Sequence, residues 1–184
     1  MLGDRTRFIR QARKLRSAID EVAGSGRAIV GVDPAFVMMI RQEYKKAGLA
    51  GEPILLVQEF LSEEIAHGRA LPKLTAARLP RKLFVHCSES AGRSLMDWKR
   101  VLAALDAPVE IAATGCCGMA GMFGHQERHQ ALSRQTFDLS WAGQLQGEDE
   151  AMVSGFSCRC QTKRFSSIRG EHPMRWIADA IDAG

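Results

Sequence analysis

No apolar run in this chain approaches the roughly 20 residues that cross a bilayer, so no membrane-spanning helix is expected. The opening Met1-Leu2-Gly3-Asp4-Arg5 is charged and lacks an apolar stretch, so a secretory leader is not expected either. An even set of cysteines is also missing: there are five, and Cys116 and Cys117 are adjacent. Neighbouring cysteines bond to each other only with strain, which argues against a secreted disulfide framework. A reducing address fits better, cytoplasmic or peripheral on the cytosolic face of a membrane. A concentrated charge is absent too. The formal net charge is +4 and the basic residues are scattered, which describes a solvated surface and no nucleic-acid partner. An anionic substrate or an acidic partner remains compatible. The sequence shows no GxGxxG dinucleotide fingerprint, no cysteine-rich ferredoxin run, no low-complexity stretch and no close repeat.

What is present is the balance of an ordinary globular chain, 46% hydrophobic and 25% charged over 184 residues. That length suits one domain, 1–184, with possible similar halves at 1–68 and 82–184. Phe8, Ile9, Ala12, Leu15, Ile19 and Val22 recur at helical spacing and predict a first helix, ended by Gly24-Ser25-Gly26. A strand is expected over 27–32. Asp33-Pro34 then opens a helix, with Asp33 as its cap and Pro34 in the first turn. Further strands are expected at 53–57, 82–87, 109–113 and 151–156. Helices are expected at 58–67, 92–105, within 124–146 and at 174–181, and a loop at 69–80. Strand and helix alternate without hairpin turns, which predicts an α/β fold, a mostly parallel sheet with helices on both faces.

On that reading Cys87 ends one strand, Cys116 and Cys117 follow another, and Cys158 follows a third. In a parallel sheet all three places lie on one edge, where open α/β sheets gather ligands. Glycines at 115, 118, 121 and 124 let the chain turn tightly and pass close to a bulky group. Buried cysteines are often plain packing residues. Three strand-end sites, one a vicinal pair between glycines, favour metal or redox chemistry. Thiolates are soft ligands, and a set made only of cysteines selects iron–sulfur clusters or zinc.

His86-Cys87, Gly115-Cys-Cys-Gly-Met-Ala-Gly-Met-Phe-Gly-His125 and Gly155-Phe-Ser-Cys-Arg159 together resemble the cysteine-rich CCG domain. That domain occurs in heterodisulfide reductases and in iron–sulfur parts of glycolate, lactate and glycerol-3-phosphate oxidoreductases. The resemblance is greatest to the C-terminal region of large FAD-linked dehydrogenases of the D-2-hydroxyglutarate type, and covers about residues 25–184. It implies that Cys87, Cys116, Cys117 and Cys158 hold a 4Fe–4S cluster that passes electrons. It also implies an FAD-binding dehydrogenase domain and a ferredoxin-like module as partners. The chain carries no flavin-binding half, so hydride chemistry on a 2-hydroxy acid would belong to those partners. Two departures stand out. Cys160 follows Cys158 by two positions and falls outside the implied ligand set, although it is an alternative ligand. Pro34-Ala35-Phe36 lacks the cysteine that some relatives carry there, so a second cluster is not expected.

His86, Gly115, Gly118, His125 and Arg159 are the further residues expected around the cofactor. His125 suits a donor to a sulfur or to the substrate and equally a surface or capping role, while His86 is the better donor to a sulfur and equally a satisfied strand-end histidine. Arg159 suits an anionic cluster, a substrate carboxylate or a plain ion pair. His125-Gln-Glu127-Arg-His129 has its glutamate one place too late for HExxH, and no PCxxC follows to support a zinc deaminase. Met119, Met122 and Phe123 read as packing near the site, and Trp98, Trp141 and Trp176 as core or interface anchors. Two other functions stay open: a zinc-bearing docking module, and a thiol–disulfide domain using Cys158 and Cys160.

Overall fold

A computed structural model describes residues 3–51, 53–74, 80, 82–90, 93–107 and 109–182. Residues 75–79 of the expected loop and Gly92 at an expected helix start lie outside the described residues.

Helix α1 (Arg5–Gly24) starts where the Asp4 carboxylate accepts the Arg7 amide at 2.9 Å. It buries Ala12 and Ile19 in a cluster with Ile54 and Leu56, the latter in a small parallel pair formed by β1 (Val30–Gly31) and β2 (Leu55–Leu56). Helix α2 (Pro34–Met39) begins at the Asp33 cap and runs into a wider, π-type turn at Ile40–Tyr44. Val37, Ile40 and Tyr44 complete this first core. Helix α3 (Val57–Ala66) follows, and the Glu59 carboxylate in its first turn accepts the Leu56 amide at 2.8 Å. Glu59 also pairs with Arg41, whose guanidinium donates to the Ile54 carbonyl, tying the wide turn after α2 to α3 and to the residue before β2.

The larger sheet has the order β4-β3-β5-β6 and every pairing in it is parallel. Its strands are β3 (Lys82–Phe84), β4 (Glu110–Ile111), β5 (Glu150–Val153) and β6 (Arg169–Glu171). Between them lie α4 (Cys87–Ser90), α5 (Arg93–Ala104), α6 (Gln130–Phe137), α7 (Gly143–Leu145) and α8 (Phe156–Phe165), with α9 (Pro173–Asp182) closing the chain. Alternation sorts the side chains. Leu83, Val85 and Met152 meet Trp98, Val101, Leu102, Trp176 and Ile177 on one face. Phe84, Ala151 and Val153 meet Phe137, Trp141 and Leu145 on the other. Helices therefore cover both faces, as the alternation predicts, and Trp98, Trp141 and Trp176 are all buried.

The elements differ from expectation in several places, and β1, β2 and β4 keep only Val30–Gly31, Leu55–Leu56 and Glu110–Ile111 of the expected strands, with Val57 opening α3. The strands stop at Phe84 and Val153, so Cys87 opens α4 and Cys158 lies in the first turn of α8. Helix α8 and strand β6 are additional elements. The helix expected within 124–146 begins at Gln130, after short 3-10 turns, and widens at Asp138–Ala142.

Candidate functional site

The carboxyl ends of β3, β4 and β5 bring the expected cysteines to one place. All five cysteines are free thiols; Cys117 and Cys158 are buried, Cys116 and Cys160 are half-buried, and Cys87 is exposed. Four of them lie close together: Cys87 is near Cys116 and Cys117, and Cys158 is near Cys117 and Cys87. The hydrogen bond from Cys158, with the Met119 amide and the Ser157 hydroxyl, overcomes burial and brings Cys117 down to about 7. The same contact, together with burial, holds the Cys158 thiol far above its ordinary range. Burial raises Cys87, reinforced by the neighbouring Cys116 and Cys117.

The Cys116–Cys117 loop is fixed from below. Gly118 adopts φ +84°, and a Cβ there would lie 2.3 Å from the Ser133 carbonyl oxygen, so both conformation and space require glycine. Its amide donates to Cys116 Sγ at 3.3 Å. Ser133 donates to the Gly118 carbonyl at 2.8 Å, and Gln161 Nε2 donates to the Cys117 carbonyl at 2.9 Å and to Ser133 Oγ at 2.8 Å. Gly115 is tied at both ends to the wide turn after α6: its amide donates to Ser140 Oγ at 2.6 Å and its carbonyl accepts Trp141 Nε1 at 3.2 Å.

Cys87 is held by a buried carboxylate that pattern reading passes over. Glu89 is 1% exposed. Its Oε1 accepts Gln58 Nε2 at 2.7 Å and Trp98 Nε1 at 3.1 Å, and its Oε2 accepts the His86 amide at 2.9 Å and the Ser154 hydroxyl. Burial pushes its pKa up, and these four donors oppose that shift. The one local signal for this role is the spacing His86-x-x-Glu89, a third-position glutamate returning to the residue before its helix.

His86 packs beside the cysteines. A Cβ on Gly155 would lie 2.5 Å from His86 Cδ2 and 3.0 Å from Cys158 Sγ, so the bare glycine makes room for both. His86 Nδ1 contacts Ser88 Oγ at 2.7 Å, and burial lowers the ring's pKa. Arg159 is half-buried, with Nη1 donating to the carbonyls of Val153 and Ser154 at 3.0 and 2.8 Å. The exposed His125 makes no hydrogen bond to a cysteine sulfur among the described residues. It lines a neighbouring cavity of about 480 Å³ with Asp33, Phe36, Met122, Arg159 and Cys160. Met119 is packing as expected, at 1% exposed, whereas Met122 is 64% exposed at the cavity rim.

Three kinds of donor therefore face the thiols: loop amides, a hydroxyl and other thiols. That set suits retained thiolate charge. Among the described residues no group of three or more His, Cys, Asp or Glu is placed to hold a single metal ion. No helix among the described residues is long and apolar enough to cross a membrane.

Comparison with curated proteins gives consistent relatives. The chain is 38% identical over 174 residues to a D-2-hydroxyglutarate dehydrogenase of Pseudomonas putida, covering 92% of this chain and 17% of that protein. It is 33% identical over 187 residues to the protein of that name in Haemophilus influenzae, covering 95% of this chain and 18% of that one. It is 24% identical over 190 residues to one subunit of the anaerobic glycerol-3-phosphate dehydrogenase of Escherichia coli, covering 95% of this chain and 47% of that protein. The chain is thus homologous to a segment of larger dehydrogenases, spanning less than a fifth of the first two. No family model matches it, and no solved structure matches it.

Proposed function

We propose that this chain, the counterpart of one segment of D-2-hydroxyglutarate dehydrogenases, is an iron–sulfur electron-transfer domain of an FAD-linked oxidoreductase acting on a 2-hydroxy acid. The observation that carries this reading is the gathering of Cys87, Cys116, Cys117 and Cys158 at the carboxyl edge of one parallel sheet. These four residues would hold a 4Fe–4S cluster, with Cys160 outside the set. The cluster would supply one-electron transfer. The residues around it have separate tasks. Gly118 and Met119 direct amides at the sulfurs, and Ser157 directs a hydroxyl at Cys117 and Cys158. Glu89 fixes the turn that carries Cys87, and Gln161 fixes the loop that carries Cys117. FAD and the hydroxy acid would bind on partner domains, linked through a ferredoxin-like module. A cytoplasmic site, free or peripheral to the membrane, suits such an assembly.

Protein prepared without oxygen tests this directly. Brown colour with iron and sulfide near about four per chain is expected for a 4Fe–4S centre. An anaerobic preparation with partner domains present, yet free of iron and sulfide, would overturn it.

One observation favours a second reading, a thiol–disulfide domain. Cys117 lies beside Cys158, as the two thiols of a redox-active pair must. This reading moves the pair from Cys158–Cys160 to Cys117–Cys158. It predicts a metal-free protein that forms that disulfide reversibly.

A further inference from the structure

Helix α8 carries Cys158 in its first turn, yet its own cap position cannot hold a capping side chain. The residue there is Gly155, and a Cβ would lie 2.5 Å from His86 Cδ2 and 3.0 Å from Cys158 Sγ. Serine, threonine, aspartate or asparagine, the usual capping residues, would run into the His86 ring and crowd the Cys158 sulfur. The missing acceptor comes from far away in sequence. Asp33 Oδ1 accepts the Phe36 amide at 3.0 Å, capping α2, and Asp33 Oδ2 accepts the Phe156 amide at 3.0 Å, 123 residues on. Phe156 is the first residue of α8, two before Cys158. One carboxylate therefore caps two helices, one beside each sheet. Its placement is held from the other side, where the Val32 carbonyl accepts His172 Nε2 at 3.0 Å.

We propose that Asp33 is a positioning residue for Cys158: it supplies from the first sheet's side the cap that α8 cannot carry, and so sets where the Cys158 sulfur points. The proposal rests on the reading of Cys158 as a cluster ligand, but its first test needs no metal. In metal-free protein, alkylation of Cys158 by iodoacetamide, followed by mass spectrometry, should be about five- to tenfold faster in Asp33→Ala than in the wild type. Asp33→Asn should accelerate it similarly while losing less thermal midpoint, since asparagine still caps α2 with its one oxygen. Asp4→Ala removes a matched cap from α1, where Asp4 Oδ1 accepts the Arg7 amide at 2.9 Å. It should lower the midpoint by about 2–4 °C and leave Cys158 reactivity unchanged. Unchanged alkylation in Asp33→Asn, which decides the matter if Asp33→Ala does not fold, overturns the proposal.

In protein reconstituted without oxygen, Asp33→Asn should shift the electron paramagnetic resonance spectrum and the midpoint potential of the reduced centre, and Asp4→Ala should not. An unshifted Asp33→Asn spectrum at wild-type iron content overturns the link from Asp33 to the cluster. A wild-type chain that takes up no iron or sulfide overturns the ligand reading instead, and the alkylation rates still decide the role of Asp33.

Discussion

Trp98 Nε1 donates to Glu89 Oε1 at 3.1 Å, closing from α5 a cage around a carboxylate that is 1% exposed. Among the described residues, every partner of Glu89 gives it a hydrogen: an indole, an amide side chain, a backbone amide and a hydroxyl. Glu89→Gln puts an NH2 group among donors, so it should destabilise the fold by about 2–4 kcal/mol despite its matching shape. A fall in thermal midpoint of about 5–10 °C by circular dichroism is expected. A midpoint within a degree of wild type would mean that the cage is not closed in solution.

His172 links pH to stability. Nε2 donates to the Val32 carbonyl at 3.0 Å, while Nδ1 accepts the Met174 amide at 3.2 Å and so has no room for a proton. Burial, with the nearby Arg159, lowers its pKa to about 4; Asp33 and the Val32 carbonyl oppose this. The unfolded chain titrates near about 6.5, so it binds more protons than the folded chain between those values. This contribution is complete above pH 6.5 and is lost as pH falls towards 4, at most about 3 kcal/mol. Urea midpoints of wild type and His172→Gln should converge at low pH. Parallel curves across that window would show that another group carries the dependence.

Cysteine replacements separate ligands from bystanders. Cys116→Ser or Cys117→Ser should lower the iron content of anaerobically prepared protein more than Cys160→Ser. Equal losses at all three positions would place Cys160 among the ligands.

Two glycines should respond in opposite directions to one added methyl group. Gly118→Ala meets a positive φ and a carbonyl oxygen at 2.3 Å, and should cost about 2 kcal/mol or more. Gly143 has a helical backbone and nothing within 4 Å of the added carbon, so Gly143→Ala should stabilise by about 0.5–1 kcal/mol. Denaturant midpoints measure both. A destabilised Gly143→Ala would show that the end of the wide turn is not free of strain.

Much of this was legible in the chain itself. The periodicity of α1 and the Asp33-Pro34 opening of α2 are local signals, and both elements form where those signals place them. The convergence of the cysteines followed from strand order alone. The limits have physical causes. Val85-His86-Cys87 continues an apolar stretch past the last ladder pair, so the strand read too long. Phe156-Ser-Cys-Arg-Cys-Gln-Thr-Lys-Arg-Phe165 offers few apolar positions at helical spacing, and α8 went unread. Arg169-Gly170-Glu171 has no β-branched residue to mark a strand. The Glu89 cage joins residues 9, 31 and 65 positions away, which no local pattern encodes. The second helix capped by Asp33 lies equally beyond local reach.

The wide turn at Asp138–Ala142 behaves as a one-residue insertion in an otherwise regular helix. It leaves Leu139 89% exposed while Ser140 and Trp141, successive residues, both reach Gly115. Deleting Leu139 would restore ordinary helical winding and rotate one of those two side chains away by about a quarter turn. Among homologous segments, a chain one residue shorter here would therefore need another anchor for the loop before its paired cysteines. Length at this position is a heritable marker of how that loop is held.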